Sequence, residues 1–122
     1  DVLLQPFADE VPRDGEYSFT FIDGTFSHAT IKRAARGEFR VQTEHGGSVA
    51  PIAVSQSLID QAALVLDALP ERTLYARVDG IIRGDVFLLM ELELIEPNLF
   101  LGFADGAADR LAVAIRERVV AR

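Results

Sequence analysis

Apolar and polar residues alternate along several segments of the chain, and this period of two is typical of β-strands. The dipeptide Asp23-Gly24 separates two such segments and predicts a tight hairpin turn, because both residues tolerate a positive φ. A short turn at residues 83–85 separates another pair. The predicted strands or extended segments are 2–7, 16–22, 25–33, 39–42, 48–54, 73–82 and 86–95.

Two other segments repeat their apolar residues at helical spacing. The first begins with Ser57 as a predicted N-cap, has Asp60 in its first turn and ends before Pro70. The second begins at Asp105. Its predicted core stripe consists of Ala108, Leu111, Ala112, Ile115 and Val119. The pattern predicts an α+β fold with a mostly antiparallel sheet and two helices packed on one face.

The composition narrows the class of protein. A chain of 122 residues with 49% hydrophobic residues is long enough for one folded domain and too short for two. A net charge of -7 argues against a nucleic-acid surface, and no apolar run is long enough for a membrane span. The absence of cysteine excludes disulfides and thiolate metal sites, and it fits a cytoplasmic protein. Because the chain opens with Asp1-Val-Leu-Leu, which is typical of a strand already under way, we expect it to be a piece of a longer protein.

Carboxylates interrupt the apolar surface of the last two strands. In the last strand, Glu91 and Glu93 share a face between large apolar residues. The preceding strand places Arg77 and Asp79 on one face, and a three-residue turn predicts Arg77 opposite Glu91, with Asp79 diagonal to it. The opposite face of the last strand is predicted to be core, and it consists of Val86, Leu88, Met90, Leu92 and Leu94.

Three converging carboxylates repel one another unless a positive charge lies between them. Oxygen ligands on a rigid sheet suit Mg²⁺, with Mn²⁺ as an alternative, and Arg77 beside them would stabilise a transferring phosphoryl group. The other interpretation is a solvated sheet face with an Arg–Glu pair across the strands. The spacing alone favours the two interpretations equally.

Several motifs resemble, in order, those of the ATP-grasp superfamily, with the greatest likeness to the C-terminal part of glutathione-synthetase-like and ribosomal-protein-S6-modification-like ligases. Arg77-Val-Asp79 resembles the Arg-x-Asp of the family, and Glu91-Leu-Glu93 resembles its Glu-x-Asn, with Glu93 in the place of the usual Asn. The resemblance implies that Arg77 assists phosphoryl transfer from ATP. It also implies that Asp79, Glu91 and Glu93 bind Mg²⁺.

The remaining motifs lie in the first half of the chain. Gln5-Pro6-Phe7-Ala8 resembles the hinge whose backbone contacts adenine, and Glu16 resembles the acid that binds the ribose hydroxyls. Phe39-Arg40-Val41-Gln42 and the following glycine pair resemble the Phe-Arg-x-Asn and Gly-Gly stretch of the family. That resemblance implies that Arg40, with Arg33 before it, lines the phosphate and acyl-phosphate site.

The resemblance implies an ATP-dependent carboxylate–amine ligase that forms an amide or peptide bond through an acyl phosphate. Its partners would be small carboxylate and amine substrates and the upstream part of the same protein, and its oligomeric state is open, a homo-oligomer included. Relatives carry a substrate domain and a Gly-rich-loop subdomain upstream, so we expect this single domain, residues 1–122, to be inactive alone. The alternative is a non-catalytic binding domain that retains the fold, for which the departures at Gln42 and Glu93 leave room.

Overall fold

The fold is a five-stranded antiparallel sheet with helices packed around it. The computed structural model describes residue 2 and residues 6–35 and 46–120. The elements are α1 (Glu10–Asp14), β1 (Glu16–Ile22), β2 (Thr25–Arg33), β3 (Ser48–Ile52), α2 (Gln56–Asp67), β4 (Tyr75–Arg83), β5 (Val86–Glu93) and α3 (Ala107–Val120). The strand order is β3-β2-β1-β4-β5 and every neighbouring pair is antiparallel. The predicted α+β class is confirmed, with three α-helices in these residues instead of two. None of the described helices is long and apolar enough to cross a membrane.

The β1–β2 hairpin follows the prediction closely. Both strands have the predicted bounds, and Asp23 and Gly24 have φ angles of 47° and 71° in the turn. The strand predicted at residues 2–7 is wrong for the described part, because Val2 and Phe7 are exposed and residues 6–8 form no strand. The extended segment predicted at residues 39–42 lies outside the described residues.

The hydrophobic core lies between α2 and one face of the sheet. The Phe19 and Phe87 rings meet edge to face at 5.1 Å, and Ala62 of α2 is fully buried in the same cluster. Helix α2 begins two residues earlier than predicted: Ser55, not Ser57, is the N-cap, and its hydroxyl accepts a hydrogen bond from the Leu58 amide at 3.4 Å. The helix thus covers the sheet face that carries the aromatic residues.

Two arginines of helix α3 donate hydrogen bonds to the β1–β2 hairpin. Arg118 Nη2 donates to Asp23 Oδ1 at 2.6 Å, and Arg110 Nη2 donates to Ser27 Oγ at 2.8 Å. The predicted core stripe of this helix is wrong. The buried positions are Ala107 and Ala114, whereas four of the five stripe residues are exposed and only Leu111 is half-buried. This ion pair and this hydrogen bond hold α3 at the turn end of the β1–β2 hairpin.

The β4–β5 hairpin has a different register from the predicted one. A two-residue turn at Gly84 and Asp85 pairs Arg83 with Val86, so the predicted three-residue turn is wrong. A β-bulge then shifts the register between Asp79 and Gly80. As a result Asp79 pairs with Glu91 and Arg77 with Glu93.

The bulge also changes which side chains of β5 reach the core. Regular alternation predicted Val86 and Met90 on the core face, but both are exposed and Phe87 is buried instead. Leu92 packs against the core beyond the bulge. Because Met90 is the extra residue, side chains before and after it follow opposite parity.

Candidate metal and nucleotide site

The sheet face opposite the aromatic core carries rows of polar side chains. Strand alternation separates the two faces: Val78 lies in the core, and its neighbours Arg77 and Asp79 lie on the other side. Cross-strand pairing aligns the polar residues of β2, β1, β4 and β5. One row is Thr30, Ser18, Asp79 and Glu91, and the next is His28, Thr20, Arg77 and Glu93.

Three carboxylates converge at the β5 end of these rows. One oxygen each of Asp79, Glu91 and Glu93 can be chosen so that all lie within 4.8 Å of one another. Asp79 is fully buried, Glu93 is half-buried and Glu91 is exposed. The group therefore extends from the interior of the sheet to the surface at its edge, and its geometry suits a shared cation.

Arg77 lies buried beside the carboxylates. Its Nε donates to Asp79 Oδ1 at 3.0 Å, its Nη2 donates to Asp79 Oδ2 at 2.8 Å and to Glu93 Oε1, and its Nη1 donates to the Asn98 carbonyl at 3.0 Å. The Phe100 ring stacks over the guanidinium, with 5.4 Å between Cζ and the ring centroid. These contacts fix the position and orientation of the guanidinium.

Lys32 joins the carboxylates through a contact that the sequence pattern did not predict. Its Nζ lies 2.6 Å from Asp79 Oδ2 and is also paired with Glu16 Oε1. Arg33, which was predicted to bind nucleotide, is exposed at the end of β2, and strand alternation turns it to the other side. The available signal was parity, because Lys32 shares its strand face with Thr30 and His28.

The charges of the site shift the pKa values of its acids. Burial alone raises the pKa of Asp79, but hydrogen bonds from Arg77 and the charge of Lys32 outweigh burial and hold that pKa below its ordinary value. Burial raises the pKa of Glu93, and the neighbouring carboxylates add to this against the opposing charge of Arg77. Burial likewise raises the pKa of Glu16, against the pull of Lys32.

The charge balance tests whether a divalent cation fits. Four carboxylates in this group stand against two cationic side chains, so two formal negative charges remain, the charge that Mg²⁺ would neutralise. Buried beside Asp79 in the same row, Ser18 Oγ and Thr30 Oγ1 have no hydrogen-bond partner among the described residues. A donor set of hard oxygens with excess negative charge and unsatisfied hydroxyls fits a hydrated oxygen-loving cation.

The segment after β5 covers the other end of the polar face. The Leu99 carbonyl accepts from His28 Nε2 at 2.9 Å and from Thr20 Oγ1 at 3.4 Å. The adjoining Asn98 carbonyl and Phe100 ring contact Arg77, as described above. This segment shields one side of the site while the carboxylate end stays open.

The remaining predicted site residues lie in different surroundings. Glu16 is at the start of β1 and joins the cluster through Lys32. Pro6 and Phe7 are exposed in the irregular segment before α1. Gln5 and Arg40 lie outside the described residues.

Comparison with known proteins gives both sequence and structural relatives. No protein-family model matches the chain. The cycloserine biosynthesis protein DcsG of Streptomyces lavendulae is 38% identical over 132 residues, a match that covers 97% of this chain and 42% of that protein. The chain therefore spans less than half the length of this curated relative.

The structural relatives share the sheet and helices. The crystal structure of the D-cycloserine synthetase DcsG has a TM-score of 0.74 at 30% identity and covers 93% of this chain and 41% of that one. D-alanine–D-alanine ligase from Bacillus anthracis, in complex with ATP, has a TM-score of 0.60 at 21% identity and covers 84% and 37%. ATP-grasp ligase PsnB, in complex with a phosphomimetic variant of its minimal precursor, Mg and ADP, has a TM-score of 0.60 at 17% identity and covers 84% and 33%.

The likeness to D-alanine–D-alanine ligase and to PsnB, at 21% and 17% identity, shows the fold alone. The matches to DcsG extend to the sequence. Together with the fold, they confirm the resemblance that the motifs had indicated. The chain is therefore similar in sequence and fold to DcsG and in fold to ATP-grasp ligases, and it matches less than half of each of these relatives.

Proposed function

We propose that this chain supplies the metal and phosphate side of the nucleotide site in an ATP-dependent carboxylate–amine ligase. The observation that carries the proposal is the convergence of Asp79, Glu91 and Glu93 beside two buried cations on one rigid sheet face. The parent reaction would activate a small carboxylate as an acyl phosphate, which an amine attacks to give an amide. The likeness to DcsG and to other ligases supports the reaction class, and the nucleotide of two relatives' complexes supports ATP as the cosubstrate.

In this proposal the three carboxylates hold Mg²⁺, or Mn²⁺ in its place. When bound, the metal neutralises phosphate charge and aligns the nucleotide oxygens. Asp79 is suited to be a fixed ligand, because β4 and two cationic neighbours hold it ionised and immobile. Glu91 is suited to be a mobile ligand, because it is exposed and forms no ion pair with any residue in the described ranges. Glu93 takes the place of an amide in related motifs, so the site has one more negative charge than theirs.

The two buried cations have different tasks. Arg77 already donates to two carboxylates and a carbonyl, so its first task is to orient the metal ligands. Of the two Nη1 hydrogens, one binds the Asn98 carbonyl, and the other has no acceptor among the described residues and would donate to a phosphoryl oxygen. Lys32 places a second positive charge within reach of the same phosphates, next to Glu16, the proposed ribose-binding acid. The motif resemblance adds Arg40 at the phosphates and Gln5, Pro6 and Phe7 at the adenine hinge, whereas Arg33 ends β2 on the other side of the sheet and is not included.

This sheet forms only one wall of a nucleotide cleft, so we propose that residues 1–122 alone do not turn over ATP. The upstream part of the same cytoplasmic protein would supply the opposite wall and select both substrates. Release of phosphate from ATP by the isolated chain would contradict this part of the proposal.

The metal assignment is tested on the chain itself with Mn²⁺ as the probe. Binding is measured by electron paramagnetic resonance for the unmodified chain, for Asp79→Asn and for the control Asp85→Asn, which removes the same charge from an exposed turn. We expect Mn²⁺ binding to be lost only with Asp79→Asn. Equal binding by all three proteins would refute the metal site.

The ligase assignment needs the whole protein of which this chain is a part. We expect ADP formation to require both a carboxylate and an amine, and Asp79→Asn and Glu91→Gln to reduce it at least about a hundredfold, since each removes a carboxylate that would hold the metal at the transferring phosphoryl group. Normal turnover by both variants would show that these residues do not carry the reaction.

A further inference from the structure

Asp79, the central carboxylate, is enclosed by cations. Its side chain has no exposed surface, and both of its oxygens accept hydrogen bonds from the cationic groups of Arg77 or Lys32. A metal ion therefore has no path to either oxygen unless one of these cations moves. The access of a metal to Asp79 thus depends on which cation leaves, and at what cost.

The two cations differ in how firmly they are held. Arg77 is fastened on several sides, by Asp79, Glu93, the Asn98 carbonyl and the stacked Phe100 ring. Among the described residues, Lys32 is held only by its ion pairs with Glu16 and Asp79, and its ammonium ends a flexible four-carbon chain with three rotating donors. Lys32 is therefore the cation that can move away from Asp79 without disrupting the contacts that position the carboxylates.

We propose, on the basis of the proposed metal site, that Lys32 is a built-in competitor of the divalent cation at Asp79. With no metal, Lys32 forms ion pairs with both Asp79 and Glu16 and closes access to the Asp79 oxygens. Metal binding has to break the Lys32–Asp79 pair, so the intrinsic affinity of the carboxylates for a cation is reduced by the strength of that pair. Lys32 thus sets how tightly the site holds a metal in the absence of nucleotide.

The test measures Mn²⁺ binding to the chain by electron paramagnetic resonance, at constant pH and ionic strength. Lys32→Gln removes the competing charge, and we expect Mn²⁺ to bind about tenfold more tightly or better, within the roughly 5- to 150-fold range of coupled sites. Lys32→Arg keeps the charge and should bind like the unmodified chain. Arg13→Gln is the matched control, because it makes the same change in net charge at an exposed residue paired with Asp14.

The variant Lys32→Gln leaves Glu16 without its partner, which could unfold the chain. The double variant Glu16→Gln/Lys32→Gln removes both charges of the pair and keeps the net charge, and it should show the same tighter binding. Mn²⁺ affinity that is unchanged in both variants, but lost with Asp79→Asn, would overturn the role of Lys32 and leave the metal site standing. Mn²⁺ affinity that does not respond to Asp79→Asn would overturn the metal site itself.

Discussion

Asp79 on β4 lies directly opposite Glu91 on β5, immediately beside the β-bulge of that hairpin. Two carboxylates in a direct cross-strand pair repel each other, and such a pair costs free energy unless a cation lies nearby. Lys32 and Arg77 meet this need at Asp79, whereas Glu91 is left exposed at the edge of the sheet. The pairing thus places one fixed and one mobile oxygen donor side by side.

The bulge at Met90 is what returns Glu91 and Glu93 to the polar face after Phe87 has entered the core. Deleting Met90 makes Leu89 and Glu91 consecutive. The side chains of β5 then alternate regularly between the core face and the polar face along the whole strand, so the fold should survive. The local twist of β5 would relax, however, and the carboxylates would move. We expect the deletion variant to unfold cooperatively like the parent and to bind Mn²⁺ about tenfold more weakly, as a displaced ligand shell does.

The control for the deletion is Met90→Leu, which keeps the chain length and should leave both properties unchanged. Thermal unfolding followed by circular dichroism and Mn²⁺ titration separate the two effects. A deletion variant that fails to fold would contradict the register assigned to this hairpin. One that binds Mn²⁺ normally would contradict the role of the bulge.

Gly80 provides the room that Phe87 needs to enter the core. A Cβ at position 80 would lie 2.6 Å from Phe87 Cε2 and closer still to the Leu88 carbonyl oxygen, so the backbone itself would have to shift. We expect Gly80→Ala to lower the free energy of unfolding by about 3 kcal/mol or more. Gly102→Ala is the matched control, since a Cβ there meets nothing within 4 Å, and it should change stability by less than about 0.5 kcal/mol. Urea denaturation measures the free energy of unfolding of both variants, and equal values would refute this account of Gly80.

The sequence predicted the two-residue Asp-Gly turn and the β1 and β2 strands well, because their signals are local. Strand parity correctly placed Arg77 and Asp79 on one face, because the extra residue of the bulge lies in β5 and not in β4. Parity failed in β5, because an extra residue leaves no mark in the sequence: Leu89 and Met90 are both apolar and equally able to occupy the bulge. The contact of Lys32 with Asp79 joins residues 47 positions apart and depends on strand order, which periodicity does not encode.

The error in α3 has a physical cause that can be tested. The apolar stripe that includes Ile115 was expected to face the core, but Arg118 and Arg110 bind Asp23 and Ser27 of the β1–β2 hairpin, and the stripe faces outward. We therefore expect Ile115→Gln to change the free energy of unfolding by less than about 0.5 kcal/mol. Ala114→Gln, at the adjacent buried position, should cost about 1–3 kcal/mol by overpacking. If guanidinium denaturation gave the reverse order, the stripe would face the sheet after all.

His28 gives the fold a pH dependence of predictable sign. The Leu99 carbonyl only accepts, so His28 Nε2 carries the hydrogen, and Nδ1 accepts from the Ser27 hydroxyl at 3.0 Å, an arrangement that requires the neutral ring. Burial lowers the pKa of His28 below its ordinary value of 6.5, and the nearby charge of Arg110 adds to the shift. Below pH 6.5 the unfolded chain therefore binds a proton that the folded chain does not. Stability is then lost as the pH falls from 6.5 towards the folded-state pKa, by at most about 1.4 kcal/mol per pH unit.

His28→Gln isolates this contribution, because a glutamine amide can still donate to the Leu99 carbonyl but does not titrate. The free energy of unfolding, measured by urea denaturation between pH 8 and 5.5, should fall more steeply for the parent than for the variant. The carboxylates titrate equally in both proteins, so the difference between the two curves reports His28 alone. Parallel curves would mean that the ring keeps its ordinary pKa in the folded chain, and the hydrogen bond to Leu99 would then not depend on the neutral form.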